Sequence, residues 1–312
     1  MSHRMRAISQ SAFGGPEVLE LIETDRPEPG PDQVLVRVRA AGVNPVDWKI
    51  RSGTPPLFGD PPYTLGFDVS GVVEAVGSRV TRFRPGDEIY GMPAPPAAAY
   101  AEYLAAAAAD LARKPPRLDH VHAGALPAVA LTAWQALVGV ANLSAGQRVL
   151  IHAAAGGIGH LAVQIAKTRG AYVVGTARKD RHDFLYDLGI DEAVDYTVDD
   201  FAVAVRDMDV VLDLIGGAYG RRSLDTLRPG GLLVTAIWTD PGVTEAEAEQ
   251  WGLRYAAVHV APSADDLEKI NELIGEGRLS VYVDQVLGLE DARKAHELSE
   301  SGHVKGKIVL VP

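Results

Sequence analysis

The chain has 312 residues, 47% hydrophobic and 23% charged, with a formal net charge of −11 and no cysteine. That balance fits one large or two ordinary soluble domains, and it excludes disulfides, thiol catalysis and thiolate metal sites. The acidity argues against nucleic-acid and anionic-membrane partners. No apolar run approaches the roughly 20 residues of a membrane span. The opening Met1-Ser2-His3-Arg4-Met5-Arg6 has no apolar core behind it, so a cytoplasmic setting is expected.

Residues 1–39 read as β structure, with Val34, Val36 and Val38 alternating with Leu35, Arg37 and Arg39. Proline and glycine at 27–31 and 53–62 mark loops. Residues 69–76 form a second apolar run, and Pro85-Gly86-Asp87 is a turn before a short run at 88–91. Many short strands with Gly/Pro turns predict a compact barrel-like domain. The Ala- and Pro-rich stretch 93–109 reads as a surface loop leading into an edge element at 100–104. A helical stretch follows over 124–140. From Gly146 the pattern alternates, with strands at 149–152, 172–176, 193–194, 210–214, 232–236 and 255–260 and helical stretches between them. This predicts a parallel, doubly wound sheet. Helices are expected at 265–276 and 289–299, and a last strand at 307–311 returns to the first domain.

Within the alternating region, Val149-Leu150-Ile151-His152 runs into Ala153-Ala154-Ala155-Gly156-Gly157-Ile158-Gly159. Ile158, Leu161, Ala162 and Ile165 then share one helical face, and Gly170 ends the helix. Strand, tight turn, helix and strand form a βαβ unit whose first turn suits a dinucleotide pyrophosphate. Gly156 lets the backbone approach a phosphate, and Gly159 lets the helix pack on the first strand. Helix-end amides then face the anion. The first glycine of the usual G-x-G-x-x-G spacing is replaced by Ala154.

Several segments in order resemble one family. They are Ala41-Gly42-Val43-Asn44-Pro45-Val46-Asp47, Gly66-Phe67-Asp68-Val69-Ser70-Gly71-Val72-Val73, Arg84-Pro85-Gly86-Asp87 and Tyr100-Ala101-Glu102-Tyr103. Leu131-Thr132-Ala133-Trp134, the 153–159 turn and Gly306-Lys307-Ile308-Val309-Leu310 complete the set. The chain resembles a zinc-free medium-chain dehydrogenase/reductase of the quinone oxidoreductase (zeta-crystallin-like) type. The resemblance implies an α/β protein: a GroES-like β-rich catalytic domain (1–122 and 263–312) and a Rossmann domain (123–262). Zinc-dependent relatives carry Gly-His-Glu where this chain has Gly66-Phe67-Asp68, together with cysteine ligands that are absent here. The nine histidines are scattered and read as loop or surface residues; no metal is expected, which disfavours alcohol oxidation through a metal alkoxide.

NAD-binding units place a carboxylate about 20 residues past the glycine loop. Here Ala177 stands there, followed by Arg178 and Lys179, with no carboxylate before Asp180. Cations beside a neutral position suit a 2′-phosphate, so NADPH is the expected cofactor. The resemblance puts Thr176 and Tyr196 at that phosphate and Ala155, Gly156, Gly157, Ile158 and Gly159 at the pyrophosphate. It puts Asn44 and Thr132 near the nicotinamide, with Asp47 nearby, and a backbone contact at Ile237 and Trp238. Ile215 and Lys307 are expected to join the cofactor contacts. Asn44 also reads as a turn residue before Pro45, and Asp47 as a cap.

No dedicated proton donor stands out; Tyr63 is the one candidate acid, beside Asn44 and Asp47 as catalytic candidates. The expected activity is hydride transfer from NADPH to a quinone or related activated carbonyl acceptor. Reduction of an enone or alkenal C=C bond is the alternative, and a catalytically weak NADPH-binding sensor or structural protein the alternative of another class. The resemblance also implies a homodimer, paired through the edge at 254–260.

Overall fold

Residues 4–54, 59–95, 98–237 and 239–312 are described by the computed structural model, and they fall into two units. Unit 1 comprises residues up to Ala128, Ala261–Gly277 and Val281–Pro312; unit 2 is Val129–Val260 with Arg278–Ser280. The resemblance implied divisions at 122/123 and 262/263.

In chain order, unit 1 contains β1 (Arg4–Gln10), β2 (Leu19–Asp25), β3 (Gln33–Val43), α1 (Pro45–Arg51), β4 (Tyr63–Thr64) and β5 (Val69–Val76). Next come β6 (Glu88–Gly91), β7 (Tyr103–Ala107), β8 (Leu111–Arg113) and α2 (His120–Ala125). The helix α3 (Pro127–Trp134) leads into unit 2, which holds β9 (Arg148–Ile151), α4 (Gly159–Thr168), β10 (Tyr172–Ala177), α5 (His182–Asp187) and β11 (Glu192–Asp195). It continues with α6 (Phe201–Ala204), β12 (Met208–Asp213), α7 (Ala218–Ser223), β13 (Leu227–Thr235), α8 (Glu245–Gln250) and β14 (Arg254–Ala257). Unit 1 resumes with α9 (Ala264–Gly275), β15 (Val283–Gly288), α10 (Ala292–Glu300) and β16 (Lys307–Val311).

In unit 1 the strand order is β15-β16-β3-β5-β6-β8, with β7 also paired to β3, and β2-β1-β4 forms a second sheet. The alternation in β3 puts Val34, Val36 and Val38 in the core with Ile89, Leu104, Ile308 and Leu310. The returning strand β16 lies antiparallel to β3, pairing Ile308 with Val43. The edge element expected at 100–104 starts later, at Tyr103. Residues 99–101 are drawn aside instead: Tyr100 N–H donates to Leu65 O, and Ile8 N–H donates to Tyr100 O.

The helical stretch expected over 124–140 is divided. Pro127, lacking an N–H, cannot continue α2 and opens α3 instead, which runs into a π-helical turn at Gln135–Val140.

Unit 2 is a six-stranded parallel sheet in the order β11-β10-β9-β12-β13-β14. Helices follow its strands, and Val149, Leu150 and Ile151 are fully buried, as expected for a strand covered on both faces. The order reverses between β9 and β12, the kind of switch point at whose carboxyl ends open parallel sheets bind ligands. The anticipated α/β architecture, a β-rich unit plus a doubly wound parallel sheet, is therefore the one observed.

Candidate active site

In unit 1 the site is built around the start of α1. Asn44 has an extended backbone and caps the helix, and Pro45 follows at its first position, where a missing N–H breaks no helical bond. Asp47 turns Oδ2 back to accept the Asn44 N–H at 2.7 Å, and the Tyr100 hydroxyl donates to the same oxygen at 2.8 Å. The Asn44 side chain is engaged at both ends: Nδ2 donates to Asp68 Oδ2 at 2.8 Å, and Oδ1 accepts from Lys307 Nζ at 2.5 Å. A carboxylate on one side and an ammonium on the other fix which way the amide points. Lys307 Nζ also donates to Val43 O at 2.8 Å and lies 3.4 Å from Asp68 Oδ2. Asp68 Oδ1 accepts the Ala128 N–H at 2.6 Å.

Asn44, Asp47, Asp68 and Lys307 are all buried. Burial pushes the Asp47 carboxyl up to about 7, against the stabilising bonds from Asn44 and Tyr100. It raises Asp68 against the opposing pull of Lys307, and it lowers Lys307. Two carboxylates thus face one ammonium. Glycine is required for this packing: a Cβ on Gly42 would stand 2.6 Å from Gly124 O and 2.7 Å from Asp68 Oδ2. Zinc does not fit here. Phe67 offers no ligand atom, Asp68 is bonded to an ammonium, and among the described residues no three His, Cys, Asp or Glu converge on a metal position.

Asn44, Asp47 and Lys307 are thus brought together, joined by Asp68 and Tyr100, to which sequence reasoning gave no role. Tyr63 stands on β4, where Gln10 Nε2 donates to its hydroxyl at 3.4 Å. Burial, and then Asp60, raise its pKa, which keeps that hydroxyl protonated.

In unit 2 the glycine segment forms the turn between β9 and α4. Ala153 takes a left-handed backbone, φ 48°, a conformation that costs a non-glycine residue about 1–2 kcal/mol. Gly156 N–H donates to Ala153 O at 2.9 Å. A Cβ on Gly159 would stand 2.2 Å from Ala153 O, so only glycine lets α4 start this close to β9. Ala155, Gly156, Gly157 and Ile158 lead into α4, where the His160 N–H donates to Gly156 O at 3.1 Å and the Ala162 N–H to Ile158 O at 2.9 Å. A dinucleotide pyrophosphate fits this cradle.

Thr176 is fully buried; its hydroxyl accepts the Ala153 N–H at 3.3 Å, and its carbonyl accepts the Ala154 N–H at 3.0 Å. Arg178, Lys179 and Asp180 are exposed after β10, the Asp195 carboxylate accepts the Lys179 N–H, and Arg178 Nε donates to the Tyr196 hydroxyl at 3.2 Å. Ile215 is 40% exposed after β12, and its N–H and that of Gly216 both donate to Asp213 Oδ1. Ile237 N–H donates to Thr235 Oγ1 at 3.1 Å; Trp238 lies outside the described residues. Thr132 is buried on α3.

The expectation that the histidines are loop or surface residues is corrected: His152, His160, His182 and His296 are buried. Each ring has a partner that makes burial tolerable. His160 meets Gly156 O, His182 meets Ala177 O, His296 meets Arg51, and His152 meets Thr176 and Ser223. The one local signal was a histidine closing the apolar run at 149–151.

Comparison with known proteins matches residues 30–116 to the alcohol dehydrogenase GroES-like domain and residues 188–310 to the zinc-binding dehydrogenase family. The mitochondrial NAD(P)H oxidoreductase RTN4IP1 of Danio rerio is 32% identical, over 90% of this chain and 84% of its own. The quinone oxidoreductase of Coxiella burnetii superposes with a TM-score of 0.95 at 37% identity, covering 99% of this chain and 100% of its own. The Escherichia coli quinone oxidoreductase complexed with NADPH gives 0.89 at 28% identity, covering 98% and 100%.

Proposed function

The chain belongs to the zinc-free medium-chain dehydrogenase/reductase family of quinone oxidoreductases and is an NAD(P)H oxidoreductase; from that premise we propose that it uses NADPH to reduce a quinone or related activated carbonyl. The observation that carries the cofactor choice is that neither β10 nor the two residues after it include an acid. There Arg178 and Lys179 are exposed beside Tyr196, and the first acid is Asp180. A guanidinium forms strong, charge-assisted bonds with a phosphate, whereas a ribose hydroxyl calls for a carboxylate.

When bound, the nicotinamide supplies the hydride. The residues of this chain bind and orient it. Ala155, Gly156, Gly157, Ile158 and Gly159 present backbone to the pyrophosphate, and Arg178, Lys179 and Tyr196 take the 2′-phosphate. Ile215, Ile237 and Thr132 are further cofactor contacts. Asn44, held rigid by Asp68 and Lys307, and Asp47 order the nicotinamide side. A quinone takes its proton from solvent after reduction, so no placed acid is needed. An enone requires one, and Tyr63, protonated at neutral pH, favours that as a second reading.

The protein is proposed to act as a cytoplasmic homodimer through β14, which is an edge strand of its sheet; a monomeric mass in solution counts against this. Initial rates with NADPH and NADH at equal concentration test the main reading, using 1,4-benzoquinone, 9,10-phenanthrenequinone and a panel of enones as acceptors. Faster turnover with NADPH and a quinone is expected. A preference for NADH sinks the cofactor assignment, and turnover confined to enones sinks the acceptor assignment.

A further inference from the structure

The buried ring of His152 links the glycine turn to α7, and the direction of every proton along that link follows from its ends. Ser223 Oγ lies 2.6 Å from Tyr219 O. A carbonyl only accepts, so the serine hydroxyl proton points there. Ser223 Oγ therefore has only lone pairs for His152 Nε2, at 2.9 Å, and Nε2 must carry the ring proton. Burial, and secondarily the nearby Arg222 cation, hold the ring neutral, with its pKa pushed down to about 3. A neutral imidazole has one N–H, so Nδ1 is bare and accepts from the Thr176 hydroxyl at 3.2 Å. That turns a Thr176 lone pair to the Ala153 N–H at 3.3 Å. The phenyl ring of Phe201 and the ring of Tyr219 stand edge-on to the imidazole at 4.6 and 5.2 Å and confine it.

The amide at the end of this relay belongs to the one residue of the turn with a left-handed, non-glycine backbone. Thr176 grips both Ala153 and the next amide. Ala153 O in turn holds Gly156 N–H and sits under Gly159. A strained residue persists only where its surroundings over-determine it, and such strain marks functional positions. We propose that His152, acting through Thr176, is a positioning residue that sets the glycine turn for the pyrophosphate of a nicotinamide dinucleotide. The relay also ties that turn to α7, which follows the Ile215–Gly217 loop, so two ligand-facing loops of unit 2 are held by one chain of hydrogen bonds. This rests on the reading of the turn as the cofactor site.

The test has two arms. In the wild-type protein, long-range 1H–15N spectra of His152 should show the Nε2–H tautomer; an Nδ1–H tautomer overturns the relay whatever the protein binds. Thr176→Val keeps the shape and removes the hydroxyl, and should raise the Kd for NADPH about tenfold, the factor expected for one lost hydrogen bond. Thr176→Ser should restore the wild-type value within twofold. His152→Gln, which keeps a donor toward Ser223 and loses the ring acceptor, should behave like Thr176→Val, with thermal melts confirming that each variant is folded. Unchanged affinity in both variants, with binding by the wild type intact, overturns this proposal alone. Absence of any dinucleotide binding by the wild-type protein overturns the cofactor reading and this proposal with it.

Discussion

The polar group at the start of α1 and the polar edge of the parallel sheet solve opposite problems. In unit 1, Asn44, Asp68 and Lys307 direct their hydrogen bonds at one another, away from water, and the titrations of the group are set by burial. In unit 2, charged side chains stand exposed at the end of β10. A closed network specifies a shape, because removing a member strands a charge; an open edge is completed by a ligand. A lysine therefore carries different consequences in the two places.

The sharpest way to break this comparison is Lys307→Met. It leaves two buried carboxylates with no ammonium, and loss of one partner from a buried ion pair costs about 3–5 kcal/mol. Urea unfolding should show a loss of that size; a loss below about 1 kcal/mol would mean that the network is not closed. On the open edge, Arg178→Ala should leave stability nearly unchanged. It should lower kcat/KM with NADPH by about 10–100-fold, the value of hydrogen bonds to a charged group, and leave NADH rates alone. Equal losses with both cofactors would show that Arg178 does not read the 2′-phosphate.

The third expectation concerns pH. Asp47 is raised from 3.8 to about 7, so the folded state binds a proton that the unfolded chain releases. Its stabilising contribution is complete below the unfolded value and is lost as pH rises through about 7. One group changes stability by at most about 1.4 kcal/mol per pH unit. Asp47→Asn, which resembles the protonated acid, should flatten the dependence between pH 5 and 7 in urea melts. An unchanged slope would assign the proton elsewhere, to Asp68 or Lys307, the other titratable groups facing it besides Tyr100.

Much of unit 2 was legible because its signals are local. Buried parallel strands read as unbroken apolar runs, and the face of α4 repeats at helical spacing. The expected 255–260 strand ends at Ala257, a boundary set by pairing with β13. Unit 1 was less legible. The alanine-rich stretch carries no alternation, so the start of β7 depended on its register with β3. The half-exposed β15, with polar residues at Asp284 and Gln285, gave no apolar pattern at all. The closed network could not be read from spacing, since Lys307 and Val43 lie 264 positions apart. Motif likeness named Asn44 and Asp47, but only the fold shows that Tyr100 and Asp68 hold them.

The interleaving of the two units has a consequence for how the chain is built. Unit 2 draws almost all of its residues from one unbroken segment, Val129–Val260, and is synthesised whole before β16 exists. β3 is made early, yet its central position depends on a strand that follows the entire parallel sheet in the sequence. Local contacts form fast, while pairings across long loops wait for closure of the intervening chain. Nascent chains should therefore acquire the parallel sheet first. The first half of unit 1 meanwhile presents a strand edge without its partner, the kind of exposed edge on which chaperones and aggregation act.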